Sequence, residues 1–517
     1  VFPHAARLNP YTTSRKVYAE GARVGEVPLP KPSSALVEQA KDFFTKVYVR
    51  RNRRRMFRRL NYCAVPGYAP LCMDTNDPET LQMGLRQRVL RDVPLHADLT
   101  ALSAFVYNLV RKYPKVQPMS FEGWLQSTNY SQSRMLQLRT SYAELRGGPP
   151  CKRDCHRVKG FGKTESYPCY KHARSIHSRT DHFKVFAGPM IKAIENVVYD
   201  FSLDGQHSFF IKHVPIPDRP MLIDSIKHYG MKYYSTDYTA YESHFLPEIM
   251  DCLECQLYRW CLSEEKYVDL LCDSIMGTNK IHSSPGFSFS VDARRMSGEM
   301  STSLGNGFSN MCVIKFICFI HGVPLDGFVE GDDGVFATPL QLTAEMFSDL
   351  GFTMKHIEEV IEPAQASFCG MLYSPTYDII KDPRRFFMNF GWTHSCVGAG
   401  TKTMDALLRA KALSTVYEAP QCPIVGALAR YALLKTVGVV PRFEEDGYHI
   451  PHDVKDIPDF HPTNETRVFF DQEFNISPDQ QVMVERDIMN GKFDKIQSII
   501  PPDPDLMDYA GKYLIID

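Results

Sequence analysis

Phe328–Val329–Glu330–Gly331–Asp332–Asp333–Gly334–Val335–Phe336–Ala337 sets two short apolar runs on either side of a Gly-Asp-Asp-Gly turn. The pattern predicts a β-hairpin. A hairpin tip projects adjacent carboxylates from a rigid sheet edge, which suits a hard divalent cation with oxygen ligands. Asp-Asp-Gly is also a good turn for purely local reasons, so the turn alone decides no function. A second carboxylate, Asp237, ends the run Lys232–Tyr233–Tyr234–Ser235–Thr236. If that run is a strand beside the hairpin, Asp237 and Asp332 face one another and can bridge two Mg²⁺ ions about 4 Å apart. One ion then lowers the pKa of an attacking hydroxyl, and the other neutralises a leaving pyrophosphate.

Working outward, three segments occur in order: Asp237–Tyr238–Thr239–Ala240–Tyr241–Glu242, then Ser297 to Asn306 (Ser-Gly-Glu-Met-Ser-Thr-Ser-Leu-Gly-Asn), then Gly331–Asp332–Asp333. Together they resemble palm motifs A, B and C of RNA-dependent RNA polymerases from positive-strand RNA viruses. The middle segment is most similar to that of the tombusvirus-like group. The resemblance implies an α+β right-hand fold of fingers, a palm with an antiparallel sheet, and a helical thumb. It makes Asp237 and Asp332 the principal ligands of two Mg²⁺ or Mn²⁺ ions, with Asp333 in support. Gly298 then gives backbone freedom to a loop that moves with the template. Ser297, Thr302 and Asn306 hydrogen-bond around the incoming ribose, whose 2′-hydroxyl separates RNA from DNA precursors. One departure is Glu242, which stands where the family usually has Asp. Glu keeps the charge and adds a methylene, so Glu242 stays a nucleotide-site residue while sugar selection is looser or rebuilt.

Upstream, Lys159–Gly160–Phe161–Gly162–Lys163–Thr164–Glu165 and Lys171–His172–Ala173–Arg174 are similar to motif F of the fingers. Entering triphosphates need fixed cations, which points to Lys163, Lys171 and Arg174, with Lys159 on RNA. Downstream, Gly351–Phe352–Thr353–Met354–Lys355 resembles motif D, whose Lys355 is then the proton donor to pyrophosphate. Phe368–Cys369–Gly370 resembles motif E, the grip on the growing strand, with Cys369 packed rather than reactive. Residues 50–59 hold seven arginines in ten positions, and Arg53 and Arg54 are candidate RNA contacts. The alternative for each basic stretch is a solvated surface.

The chain has 517 residues, 44% hydrophobic and 23% charged, which fits a soluble globular protein of two to four structural units. Its 59 basic and 60 acidic residues nearly cancel, so a nucleic-acid enzyme with this balance separates its charges in space. Residues 151–184 carry nine Lys or Arg against three acids, whereas 443–460 is acidic. The expected division is an N-terminal extension with the basic run (1–65), mainly fingers (66–230), palm (231–375, with a fingers insertion near 255–290), and thumb with a surface-wrapping tail (376–517).

Fourteen cysteines over this length read as reduced thiols. Cys151, Cys155, His156, Cys169 and His172 cluster in sequence but match no specific zinc pattern, so structural zinc is not expected. The most apolar stretch, Met311 to Val323, is interrupted by Lys315 and His321 and is too short to span a bilayer. A first residue of Val reads as a processed product or a trimmed domain. The expected partners are template and nascent RNA and ribonucleoside triphosphates. Other viral replication proteins and host membranes would be met through segments outside the chain, at membrane-associated sites in the host cytoplasm.

Three rival readings use the same carboxylates. A reverse transcriptase commonly has an aromatic or hydrophobic pair before Asp-Asp rather than Glu-Gly, and lacks the Ser-Gly…Thr…Asn element. A silent RNA-binding scaffold has no reason to keep Asp237, Asp332 and Asp333 together. A metal-dependent nuclease gives no reason for a ribose-reading segment.

Overall fold

The computed structural model describes residues 14–19 and 22–28 and then 57–502, apart from breaks at 71–74, 76–77, 92, 94–97, 167–172, 206, 229, 284–286 and 444–456. Arg53, Arg54, Lys171, Cys169 and His172 lie outside the described residues.

Among the described residues, the strands are β1 (Ser14–Ala19), β2 (Ala22–Pro28), β3 (Arg58–Arg59), β4 (Arg157–Gly162), β5 (Ser175–Arg179), β6 (Lys232–Tyr238) and β7 (Thr278–Ser283). They continue as β8 (Phe287–Asp292), β9 (Asp326–Glu330), β10 (Asp333–Thr338), β11 (Met354–Val360), β12 (Leu372–Tyr373), β13 (Ile379–Ile380) and β14 (Trp392–Thr393). The sheet that matters most has the order β11-β6-β10-β9 and is antiparallel throughout. A second sheet, β5-β4-β7-β8, joins residues 157–179 to residues 278–292 through the parallel pair β4 and β7. The fold is thus mixed helix and sheet, as expected.

Alternation along the strands of the first sheet decides its two faces, because successive side chains point oppositely. Tyr234, Tyr238, Val329 and Phe336 enter one apolar core, which surrounds the helix Thr302–Ile320. Phe328, Val335 and Ala337 enter another, shared with residues 60–68 and the C-terminal helices. Each fully buried side chain of this size contributes about 2–3 kcal/mol of transfer free energy. The helix Thr302–Ile320 is largely buried and is the one described helix long and apolar enough to cross a membrane. Its window is 78% buried, which makes it the central helix of the core.

The C-terminal part forms helices at Thr401–Glu418 and Val425–Lys435. The tail corrects the sequence reading. It does not simply wrap the surface: Asn464–Phe474 and Pro478–Met489 are helices that bury Phe470, Val484 and Ile488 in the second core. Ser477 caps the second of them with Gln480 in a reciprocal capping box. That Ser-x-x-Gln signal was present in the sequence and marks a helix start.

Candidate active site

The β9–β10 hairpin closes with Asp333 opposite Glu330, so only Gly331 and Asp332 form the loop. Gly331 has φ +63°, and Asp332 is not left-handed, the sense of a type II′ turn. Only Gly enters that first position without strain. Asp333 therefore belongs to strand β10 rather than to the turn.

Strand β6 lies directly beside β10, with Thr236 opposite Gly334. Asp237, the next residue of β6, is thereby brought to the end of the sheet that carries Asp332 and Asp333. The three carboxylates interact. Burial, and then Glu242 and Asp237, raise Asp332, against the opposing charge of Arg88. Burial, and then Asp332, Asp237 and Glu330, push Asp333 up to about 7. Among the described residues, no three His, Cys, Asp or Glu side chains stand close enough together to hold a metal ion as they are. Asp237 Oδ2 is instead 2.5 Å from Lys355 Nζ. The donor set nevertheless suits divalent cations. It consists of hard carboxylate oxygens whose mutual repulsion raises Asp332 and Asp333, and a cation's positive charge would relieve that repulsion.

Lys355 reaches Asp237 because β11 pairs with β6 through an irregularity between Met354 and His356. Two residues that sequence reading passed over hold the hairpin. Asn310 Nδ2 donates to the carbonyls of Gly331, Asp332 and Asp333 at 3.3, 3.2 and 3.2 Å. Tyr238 donates its hydroxyl to Asn310 Oδ1 at 3.0 Å. Asn306 lies one helical turn earlier on the same face of Thr302–Ile320.

Ser297, Gly298 and Thr302 are engaged within the chain. Ser297 Oγ donates to the Ser175 carbonyl and accepts from the His177 amide, both at 3.3 Å. Thr302 donates to the Met296 carbonyl at 3.0 Å. The Gly298 amide bonds the His177 carbonyl, and a Cβ there would come within 2.8 Å of that oxygen. Its φ is not left-handed, and in this conformation the glycine allows close approach to β5. Beneath this loop Arg179 donates to Glu299 at 2.6 Å, both fully buried. Glu242 is half-buried and pairs with Arg88 at 3.4 Å. Arg88 ends the helix Pro78–Arg88 and was not singled out from the sequence.

Of the cations expected to meet triphosphate, Lys163 and Arg174 are both paired with Glu165. Glu165 bonds Lys163 at 3.0 Å and also takes the Arg174 guanidinium in a two-pronged contact. Lys159 is exposed on β4. Cys369 is half-buried with φ +55°, and its thiol meets Glu330 Oε2 at 3.6 Å. Burial, with Glu330 and Asp333 nearby, holds that thiol protonated far above its ordinary range, in keeping with a packed rather than a reactive residue. Glu330 is also bonded by Arg219 at 2.6 Å. Of the cysteines considered for zinc, Cys151 is exposed and donates to Asp154, while Cys155 is buried against the Pro150 carbonyl.

Residues 252–495, just under half the chain, match the family model for viral RNA-dependent RNA polymerase. The range contains Ser297–Asn306 and the hairpin but begins after Asp237. The chain is 25% identical over 293 residues to the RNA-directed RNA polymerase of Pothos latent virus, covering 53% of this chain and 38% of that protein. It is 23% identical over 304 residues to that of Panicum mosaic virus, covering 55% and 30%. For Atlantic halibut nervous necrosis virus the figures are 24% over 237 residues, 42% and 22%. The chain thus spans well under two thirds of the length of these relatives. The resemblance is thus supported by a viral polymerase family model that spans Ser297–Asn306 and the hairpin and by curated RNA-directed RNA polymerases, and the plant viruses among them are consistent with the tombusvirus-like group.

Proposed function

We propose that this chain is an RNA-directed RNA polymerase that joins ribonucleoside triphosphates on an RNA template by two-metal nucleotidyl transfer. One observation carries the reading: the Asp237 strand runs beside the Asp333 strand, and the carboxylates at that end of the sheet act on one another electrostatically. Asp237, Asp332 and Asp333 would hold the ions, Mg²⁺ or Mn²⁺. When bound, those ions supply charge neutralisation at the reacting phosphates and a more acidic attacking hydroxyl.

The remaining groups act through their own chemistry. Lys355 leaves its pair with Asp237 and offers a proton to the departing pyrophosphate. Lys163 and Arg174, exchanged from Glu165, together with Lys171, grip phosphate oxygens. Asn306 and Glu242 face the sugar, with Ser297, Gly298 and Thr302 shaping the loop around it. Arg53, Arg54 and Lys159 contact RNA, and Cys369 packs under the growing strand. In this reading residues 66–230 are mainly fingers, 231–375 palm with an insertion near 255–290, and 376–517 thumb. Template and nascent RNA are the macromolecular partners. Work at membrane-associated sites in the host cytoplasm, with other viral proteins, belongs to the same proposal.

The test is incubation of the purified chain with Mg²⁺, four ribonucleotides and a defined RNA, followed by product sizing. Template-length, metal-dependent product is expected. Its absence, with RNA still bound, sinks the reading. Parallel reactions with deoxyribonucleotides separate it from reverse transcription.

A further inference from the structure

Beneath the sugar-reading residue lies an ion pair that no motif accounts for. Arg295 and Glu254 are both fully buried and 41 positions apart. Arg295 Nη1 donates to Glu254 Oε2 at 3.0 Å, and Nη2 donates to Oε1. Tyr258 donates its hydroxyl to Oε2 at 2.7 Å, so the carboxylate is satisfied on both oxygens. The guanidinium lies 4.2 Å from the ring centroid of Phe245. Helix Thr302–Ile320 approaches so closely that a Cβ on Gly305 would stand 2.3 Å from Glu254 Oε2. A buried pair this well bonded holds its geometry, because losing either partner strands a charge away from water.

The third direction of that guanidinium is used on Asn306: Nε donates to Asn306 Oδ1 at 2.9 Å. Guanidinium is a donor only, so the amide has one permitted orientation, oxygen toward Arg295 and nitrogen away. Asn306 Nδ2 has no hydrogen-bond partner among the described residues, and it is not among the buried polar atoms left unpaired. It lies on the helix face that holds the carboxylate hairpin through Asn310. The same arginine ties in the segment after Asp237, its amide bonding the Glu242 carbonyl at 3.1 Å. Tyr241 bonds the Asn306 carbonyl at 3.2 Å.

We propose that Arg295, locked by Glu254, is a positioning residue that fixes the Asn306 amide with its N–H donors outward, so that the site selects a sugar carrying an acceptor oxygen. The proposal rests on the polymerase reading and adds the part that sets sugar choice. An uncommitted Asn amide offers either face, and its discrimination is correspondingly weaker. With the oxygen held inward, the 2′-hydroxyl of a ribonucleotide accepts from Nδ2, and a deoxyribonucleotide leaves that donor unmatched.

Two variants test this with the full chain. The double variant Arg295→Met/Glu254→Gln removes both charges at similar volume and leaves Tyr258 a partner, a replacement that buried pairs tolerate. Asn306→Asp keeps the bond to Arg295 and turns the outward donor into an acceptor. For each, kcat and KM are measured for ribo- and deoxyribonucleotides on one RNA template, with melting curves alongside. Both variants are expected to lower the ribo-to-deoxyribo ratio of kcat/KM by about tenfold, mainly through the ribonucleotide KM. Arg295→Lys, which keeps a charge on Glu254 but lacks the planar fork, is expected not to restore the ratio. An unchanged ratio in Asn306→Asp, or in a folded double variant, overturns the proposal while leaving polymerase activity standing. A wild-type chain that extends no RNA removes the underlying reading instead.

Discussion

Tyr238, at the end of the strand that bears Asp237, donates a hydrogen bond to Asn310 across 72 positions of sequence. Asn310 in turn holds the three hairpin carbonyls of Gly331, Asp332 and Asp333. The tyrosine orients the amide, and the amide orients the carboxylate-bearing loop. Tyr238→Phe leaves the buried Asn310 oxygen without a donor and is expected to cost about 1–2 kcal/mol. Asn310→Asp places a carboxylate against three carbonyls and should cost more, with at least a tenfold loss of extension rate. Urea melts and single-nucleotide extension measure both effects. Strict additivity in the double variant would show that the two residues do not act as a unit.

Asp332→Ala is expected to abolish RNA synthesis, leave RNA binding largely intact and not lower the melting temperature. The sign follows from the raised pKa of Asp332, caused by burial and then by Glu242. A carboxyl raised in the fold above its ordinary 3.8 is penalised when ionised, so its drag on stability grows as pH rises through the folded value. The variant should therefore gain most over wild type near pH 8 and least near pH 4. Wild-type-like synthesis by the variant would falsify the metal-ligand assignment.

The hairpin was legible in the sequence because its signal is local: Gly at the turn and apolar residues on each side. The position of Asp237 beside the hairpin depends on a strand pairing that no local signal in Lys232–Thr236 can fix. Asn310, Tyr238 and Arg295 were not legible. Each is an ordinary core-face residue until folding delivers a partner tens of positions away. Arg88 is the extreme case, meeting Glu242 across 154 positions. Ser297 and Thr302 were read from their motif as facing a ligand, yet their hydroxyls bond the chain's own carbonyls.

Lys355 Nζ lies 2.5 Å from Asp237 Oδ2, with His356 Nδ1 4.0 Å from the same oxygen. The lysine side chain is 61% exposed, so its pair with Asp237 is easily exchanged. Lys355→Met is expected to lower kcat by about a hundredfold, the scale of general-acid loss, with KM changed little. A merely structural lysine predicts the opposite split, with kcat preserved. Single-turnover incorporation at saturating nucleotide distinguishes them.

Glu242 carries one methylene more than the Asp usual at its position, and that length brings it to Arg88. Glu242→Asp shortens the reach and should release the arginine. The pair is partly exposed, so melting should move little, in line with the small worth of such bridges. Sugar choice is the sensitive readout: Glu242→Asp and Arg88→Gln should each shift the ribo-to-deoxyribo ratio by about threefold or more. If neither variant moves that ratio, the pair of Glu242 with Arg88 has no part in sugar choice.

Asp326 offers a prediction away from the chemistry, because its two oxygens accept from His207 at 2.7 Å and His228 at 2.8 Å. The hydrogen bond to Asp326 raises His207 above its ordinary 6.5 despite burial. Burial pushes Asp326 up, but the bonds from His207 and His228 outweigh it and leave its carboxyl below 3.8. The histidine contribution is fully present below about pH 6.5 and is lost as pH rises through the raised folded value. The carboxylate contribution is present above 3.8 and is lost as pH falls through the depressed value. Stability from this cluster should therefore peak between about pH 4 and 6.5. Asp326→Asn should cost about 2 kcal/mol there and less as pH rises through the raised folded value of His207, where the imidazole loses its proton. Chemical melts of both proteins across that range provide the check, and a difference independent of pH would mean that the histidine is never charged in the folded chain.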